Sequence, residues 1–243
     1  MKQTERSPAE HFASPIRLWE CPELTEINRL PIRATLYPYH SITAALAGGK
    51  DKTPWLNSLN GQWSFKLFKN PEEVKAGHIG TKPNAKWDQV SVPGCWTMQG
   101  YDKPHYTNIE MAWENTPPFV KADENPTGVY RTSFALPDGW QSRRTVIQFG
   151  GIESCGFVYL NGEFVGMSKD TRLPAEFDLT PFLVPGENQL AVVCIRYSDA
   201  TYVEDQDHWW MAGLYRDVFL YSTDQAYIED VFATALLDKA DYQ

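Results

Sequence analysis

Asn161-Gly162 joins two apolar runs, Phe157-Val158-Tyr159-Leu160 and Glu163-Phe164-Val165. A two-residue connection of this composition selects a type I′ hairpin, because both turn residues must take positive φ and Asn and Gly tolerate it. The turn therefore commits this stretch to an antiparallel pair. Further short runs rich in Val, Ile, Phe, Tyr and Thr, separated by Gly, Pro, Asn and Asp, predict strands over Gln62–Phe68, Val129–Leu136, Thr145–Phe149, Leu190–Tyr197 and Val218–Tyr221. Helical periodicity is nearly absent. The best stretch, Pro71 to Gly77, gives a turn or two at most. The pattern predicts an all-β fold, an antiparallel sandwich or jelly roll, with no internal repeat.

The 243 residues can hold one large β domain or two small ones, and 42% hydrophobic residues suffice for a core. A formal net charge of −9, with no long run of Lys and Arg, disfavours nucleic acid and anionic membranes as partners. No apolar stretch of signal-peptide length follows Met1, and no segment is long enough to span a bilayer as a helix, so a cytoplasmic location is expected. The cysteines Cys21, Cys95, Cys155 and Cys194 are far apart and lack CxxC spacing, which suits buried thiols better than a metal site or disulfide framework.

Residues 1–54 are rich in Pro and charge, without a lasting period, and read as an extended arm outside the core. Residues 55–223 carry the strand pattern. The run Tyr227–Leu236 alternates in part, so that 224–243 is expected to begin a further domain cut short by the end of the sequence.

Self-contained catalytic signatures are missing: no GxSxG elbow, HExxH, Walker loop or dinucleotide fingerprint occurs, and His11, His40, His78, His105 and His208 are scattered. What stands out is the segment Thr201 to Val218, in which Glu204, Asp205, Asp207, Trp209 and Trp210 lie between two expected strands. Carboxylates accept hydrogen bonds from sugar hydroxyls or ligate a hard cation, and flat rings cover the apolar face of a pyranose. The same residues also read as a solvated acidic turn with core tryptophans. An EF-hand is excluded, since its Gly and closing Glu are missing. A second segment, Val92 to Ile109, is a long turn-rich connection of the kind that often carries function. Taken alone, its Asn108 reads more readily as a turn residue than as a ligand contact.

Together these segments resemble the amino-terminal region of family 2 glycoside hydrolases of the β-galactosidase type. The resemblance rests on Asn28-Arg29-Leu30, Leu59 to Phe65, Val92-Pro93 with Trp96, Gly100-Tyr101-Asp102 leading to Tyr106-Thr107-Asn108, Pro117 to Val120, Glu124 to Gly128, Ser168 to Leu179 and Glu204 to Val218. It covers nearly the whole chain, from about Trp19 to the end. The Tyr-Thr-Asn and Glu-Asp-Gln-Asp wording favours galactosidases over the glucuronidases and mannosidases of the same family.

The resemblance implies a jelly-roll sugar-binding domain, with 224–243 starting an immunoglobulin-like domain and a TIM barrel following. It implies that Asn108 and Asp207 contact the galactosyl group and that Asp207 also helps to hold Na+. Glu204 and Asp205 are not carried over, being equally suited to bonding backbone or Arg216. In the family, retaining hydrolysis of β-D-galactosides such as lactose uses two carboxylates about 5 Å apart. Those glutamates and the Mg2+ ligands belong to the barrel, which needs roughly 200 residues or more of its own. The resemblance therefore implies no catalytic residue and no Mg2+ ligand in this chain, which is expected to be inactive alone. The implied partners are β-galactosides, the remaining domains of the same enzyme and, with the arm packed against another subunit, a homotetramer. The rival expectation is a stand-alone carbohydrate-binding module or interaction domain.

Overall fold

A computed structural model of the protein describes residues 16–80, 87–107, 111–114, 116–121 and 123–236. The first half of the chain supplies strands β1 (Glu26–Ile27), β2 (Leu56–Ser58), β3 (Gly61–Phe68), β4 (Asp88–Val92), β5 (Gly94–Cys95), β6 (His105–Tyr106), β7 (Thr127–Ala135) and β8 (Arg144–Phe149). The second half adds β9 (Ile152–Glu153), β10 (Cys155–Leu160), β11 (Glu163–Ser168), β12 (Ala175–Asp178), β13 (Glu187–Ile195), β14 (Trp209–Trp210), β15 (Gly213–Leu214) and β16 (Val218–Thr223). A seven-stranded sheet, in the order β1-β11-β10-β13-β7-β3-β4, faces a four-stranded sheet, β12-β8-β16-β2. Every ladder is antiparallel. This is the expected all-β jelly-roll sandwich.

The hairpin forms as its turn residues require: Asn161 has φ 54° and Gly162 φ 85°, and Leu160 pairs with Glu163. Each run assigned to a strand within residues 55–223 lies on one, with ends that differ by up to three residues. Pro71–Glu73 and Ala76–Ile79 are single helical turns, as the weak periodicity there implied. The strand Asp88–Val92 was not foreseen, although Val90 and Val92 alternate inward as a half-buried strand should.

Between the sheets, Trp63, Phe65, Tyr130, Val158 and Val192 of the larger sheet meet Ile147, Phe149, Phe177, Val218 and Leu220 of the smaller one. The opposite face of the larger sheet is also covered. Val129, Phe157, Tyr159, Met167, Val193 and Ile195 pack there with Trp19, Val120, Tyr197 and Trp210, so every side chain of β10 is buried.

The expectation of an arm outside the core is corrected at Trp19, which is only 2% exposed and packs in that second layer. Buried polar contacts hold the neighbouring arm residues. The Lys169 ammonium donates to the Cys21 carbonyl at 2.7 Å while paired with Asp199 at 2.7 Å. Arg33 donates to Glu176 at 3.1 Å and to the Tyr221 hydroxyl at 2.9 Å. A buried pair that lost one partner would leave an uncompensated charge, so these contacts fix the arm's path. The arm also forms the short helix Ile42–Ala47, capped by the Ser41 hydroxyl. At the other end, Tyr227 to Leu236 enters no ladder, and Ile228, Val231, Phe232 and Leu236 are exposed. A strand requires a neighbour for its amides and carbonyls, and none of the described residues supplies one there.

The four cysteines are free, with Cys155 and Cys194 buried and Cys21 and Cys95 half-buried. Burial pushes the Cys95 thiol up to about 11 and raises those of Cys155 and Cys194 further, which keeps them protonated and inert.

Packing is tight at Gly128, where β7 passes beneath an aromatic cluster. Phe65 lies 4.8 Å from Tyr130 and 5.8 Å from Trp96, measured between ring centroids. A Cβ on Gly128 would sit 2.6 Å from both Phe65 and Trp96. We predict that Gly128→Ala destabilises the fold by about 1–3 kcal/mol, because rigid buried rings cannot yield. Gly77→Ala, where a Cβ would meet nothing within 4 Å, is predicted to be neutral or slightly stabilising. Urea unfolding of the two variants checks the pair, and equal effects would contradict this account of the packing.

Candidate functional site

The two segments singled out from the sequence meet at one end of the sandwich. There β5, β15 and β9 form a small three-stranded sheet, with Gly213 and Leu214 paired to Cys95 and Gly94 on one side and to Glu153 and Ile152 on the other. The backbone N–H of Trp96 donates to the Ala212 carbonyl at 3.0 Å, which ties the start of one loop to the end of the other. Beyond this base, β6 and β14 make a two-stranded ladder, Tyr106 opposite Trp209 and His105 opposite Trp210. β6 ends two residues before Asn108, and β14 begins two residues after Asp207.

Alternation along β14 separates the two tryptophans. Trp210 is 5% exposed and packs on His105, Trp113 and Tyr197, whereas Trp209 is 56% exposed and lies against the Tyr106 ring at 5.7 Å. One tryptophan is thus a core residue, as the second reading of the segment had it, and the other presents a ring to the surface.

The carboxylates divide in the same way. Glu204 accepts from the Thr171 backbone N–H at 2.8 Å and from the Thr171 hydroxyl, and Asp205 accepts from the Trp210 indole at 3.2 Å. Both are structural, though neither bonds Arg216, whose guanidinium instead donates to the Arg172 carbonyl at 2.7 Å. Asp207 is exposed and accepts from the Tyr106 hydroxyl through Oδ1 at 2.6 Å. Its Oδ2 has no hydrogen-bond donor among the described residues. Asn108 lies outside the described residues.

Behind the loop is a compact charged cluster that local sequence could not reveal. Arg172 contacts His208 Nε2 at 2.6 Å, and His208 Nδ1 lies 2.9 Å from the Trp209 carbonyl. Nε2 therefore accepts from the guanidinium while Nδ1 donates to the carbonyl, which is the neutral imidazole. Glu153 accepts from the Met211 backbone N–H at 3.1 Å. Burial raises the carboxyls of Glu153 and Glu204, opposed by Arg172 beside both and by the Thr171 bonds to Glu204. The cavity bordered by Glu153, Arg172, Glu204 and His208 is about 20 Å³, too small for a pyranose. The exposed side of these loops, where Asp207 and Trp209 lie, is open to a sugar.

The fit of a cation can be judged from the donors alone. Asp207 Oδ2 is a hard oxygen ligand without a competing donor, which suits Na+. Among the described residues no group of three or more His, Cys, Asp and Glu could hold a metal, so further ligands would have to come from elsewhere.

Residues 56–224 match the family model described as the sugar binding domain of the glycosyl hydrolases family 2. The chain belongs to that family. Among curated relatives of this family 2 domain, the beta-galactosidase of Psychromonas ingrahamii is 44% identical over 223 residues, covering 91% of this chain and 21% of the relative. The beta-galactosidase of Photobacterium profundum is 46% identical with the same coverage, 91% and 21%. Of the solved structures, an uncultured Clostridium sp. beta-glucuronidase aligns at 26% identity with a TM-score of 0.53, over 76% of this chain and 31% of that one. The family 2 domain thus spans about a fifth of the length of the galactosidases it matches. No helix among its described residues is long and apolar enough to cross a membrane.

The raised carboxyls make stability depend on pH in a definite sense. A folded-state value above the unfolded one favours folding fully below the unfolded value, and that contribution is lost as pH rises through the folded value. Glu153→Gln keeps an acceptor for the Met211 N–H and removes the titration. Its stability relative to the parent is therefore predicted to increase as pH rises from about 4, where the unfolded carboxyl ionises, into the neutral range. Chemical unfolding across that range checks this, and a difference that stays constant with pH would contradict it.

Proposed function

We propose that this chain is the amino-terminal sugar-binding portion of a longer β-galactosidase that hydrolyses terminal β-D-galactosides such as lactose with retention. The observation that carries the reading is the Asp207 carboxylate. It is exposed, open at Oδ2 and held at the meeting point of two loops whose wording resembles galactosidases, in a chain 44% and 46% identical to two curated beta-galactosidases. The chain supplies one wall of the sugar site. Asp207 accepts from a galactosyl hydroxyl and contributes a ligand to Na+, and Asn108 offers an amide that can both donate and accept. Bound Na+ would supply a fixed positive charge that orients the sugar's oxygens. The two carboxylates that act on the anomeric carbon, and the Mg2+ ligands, come from the portion of the relatives beyond this chain.

A wall of this kind contributes binding rather than proton transfer, so its loss weakens the transition state without removing the acid or the nucleophile. The chain alone has no turnover. The same reading makes the rest of the enzyme its partner, and a soluble, cytoplasmic homotetramer its assembly.

In the full-length enzyme, Asp207→Ala is predicted to lower kcat/KM for a chromogenic β-galactoside by roughly 10- to 100-fold, the loss expected for a charged hydrogen-bonding partner. It is also predicted to blunt the response to sodium. Unchanged kinetics would remove Asp207 from the site. For the isolated chain, calorimetry with galactose is predicted to show binding no tighter than millimolar, since a half-site cannot offset the cost of ordering its ligand. Tighter binding would favour a stand-alone carbohydrate-binding module.

A further inference from the structure

Tyr106 has no evident role in the fold. Its ring is 51% exposed, and it lies on a strand of two residues at the rim of the molecule. Its position is nevertheless closely defined. Strand pairing sets it opposite Trp209, that indole packs against its ring at 5.7 Å, and the neighbouring pair of His105 and Trp210 anchors the ladder to the core. The phenol formed in this way reaches across to the acidic loop and donates to Asp207 Oδ1 at 2.6 Å. That length is characteristic of an O–H group bonded to an ionised carboxylate.

We infer that Tyr106 is a positioning residue for Asp207: its hydroxyl fixes the carboxylate through Oδ1 and leaves Oδ2 to accept a galactosyl hydroxyl or to bind Na+. The inference rests on the functional reading of Asp207 given above. An exposed aspartate otherwise samples several rotamers and exchanges its partners with water, and each must be given up when ligand binds. The phenol bears that cost in the folded state. It also takes up one oxygen with a neutral donor, which leaves the negative charge in place for the cation. No other side chain among the described residues donates to Asp207.

The test compares Tyr106→Phe, Asp207→Asn and the parent in the full-length enzyme. Phenylalanine retains the ring on Trp209 and removes only the hydroxyl. Two quantities are measured: the dissociation constant of a non-hydrolysable thiogalactoside by calorimetry, and the sodium concentration giving half-maximal galactosidase activity. Tyr106→Phe is predicted to raise both on the order of fivefold, the effect of losing one such hydrogen bond, with kcat at saturating sodium within about twofold of the parent. A purely structural role would instead lower the unfolding temperature and leave both constants alone. If Asp207→Asn weakens thiogalactoside binding while Tyr106→Phe matches the parent, the positioning role is overturned and the reading of Asp207 stands. If Asp207→Asn also matches the parent, that reading fails and the positioning role falls with it.

Discussion

The arrangement of this domain depends on burying the seven-stranded sheet on both faces. A sheet packed on one side can leave alternate residues in water, but β10 and most of β13 cannot, since their side chains are enclosed on each face. One face is closed by the four-stranded sheet. The other needs a second cover, which the chain assembles from the arm around Trp19 and from the segment containing Tyr197 and Trp210. Apolar burial of this extent is the dominant favourable contribution to folding, and here it also decides where loops can go.

The acidic loop shows how such a constraint shapes a site. Trp210 is drawn inward as part of the cover, and the alternation of a short strand then turns Trp209 outward. Glu204 and Asp205 are used up in holding the loop to Thr171 and to the Trp210 indole. Asp207 is left on the open side, its geometry set by one phenol rather than by burial. Most of the charged residues in this region therefore hold the loop in place, and the part able to meet a ligand is small. That division suits a domain that forms one wall of a larger site.

Much of the fold was legible in the residues. Asn161-Gly162 specifies its hairpin because so few residues accept positive φ at both positions, and a run such as Leu190–Ile195 is too apolar to be anything but enclosed. Trp19 was misread because Pro and charged neighbours hide a single buried ring that local pattern cannot place. The short ladder between His105–Tyr106 and Trp209–Trp210 left no periodicity to detect, so the sequence did not distinguish the outward tryptophan from the inward one. Bonds such as Thr171 to Glu204 or Met211 to Glu153 join residues 33 and 58 positions apart, and neither end signals the other. Carboxylate chemistry marks Glu204, Asp205 and Asp207 alike, and only likeness to a family separates Asp207 from the other two. Tyr106 was quoted only as part of that likeness, since its importance lies in a contact 101 residues away.

The central claim is that Asp207 faces the sugar. A crystal structure of the full-length enzyme with a bound thiogalactoside tests it most directly. The account predicts Asp207 Oδ2 at hydrogen-bonding distance, about 2.6–3.2 Å, from a galactosyl hydroxyl, or joined to it through a shared sodium ion, with the Tyr106 hydroxyl still on Oδ1. A galactoside seated elsewhere, with the Asp207 carboxylate turned to solvent or paired with another protein group, would contradict it.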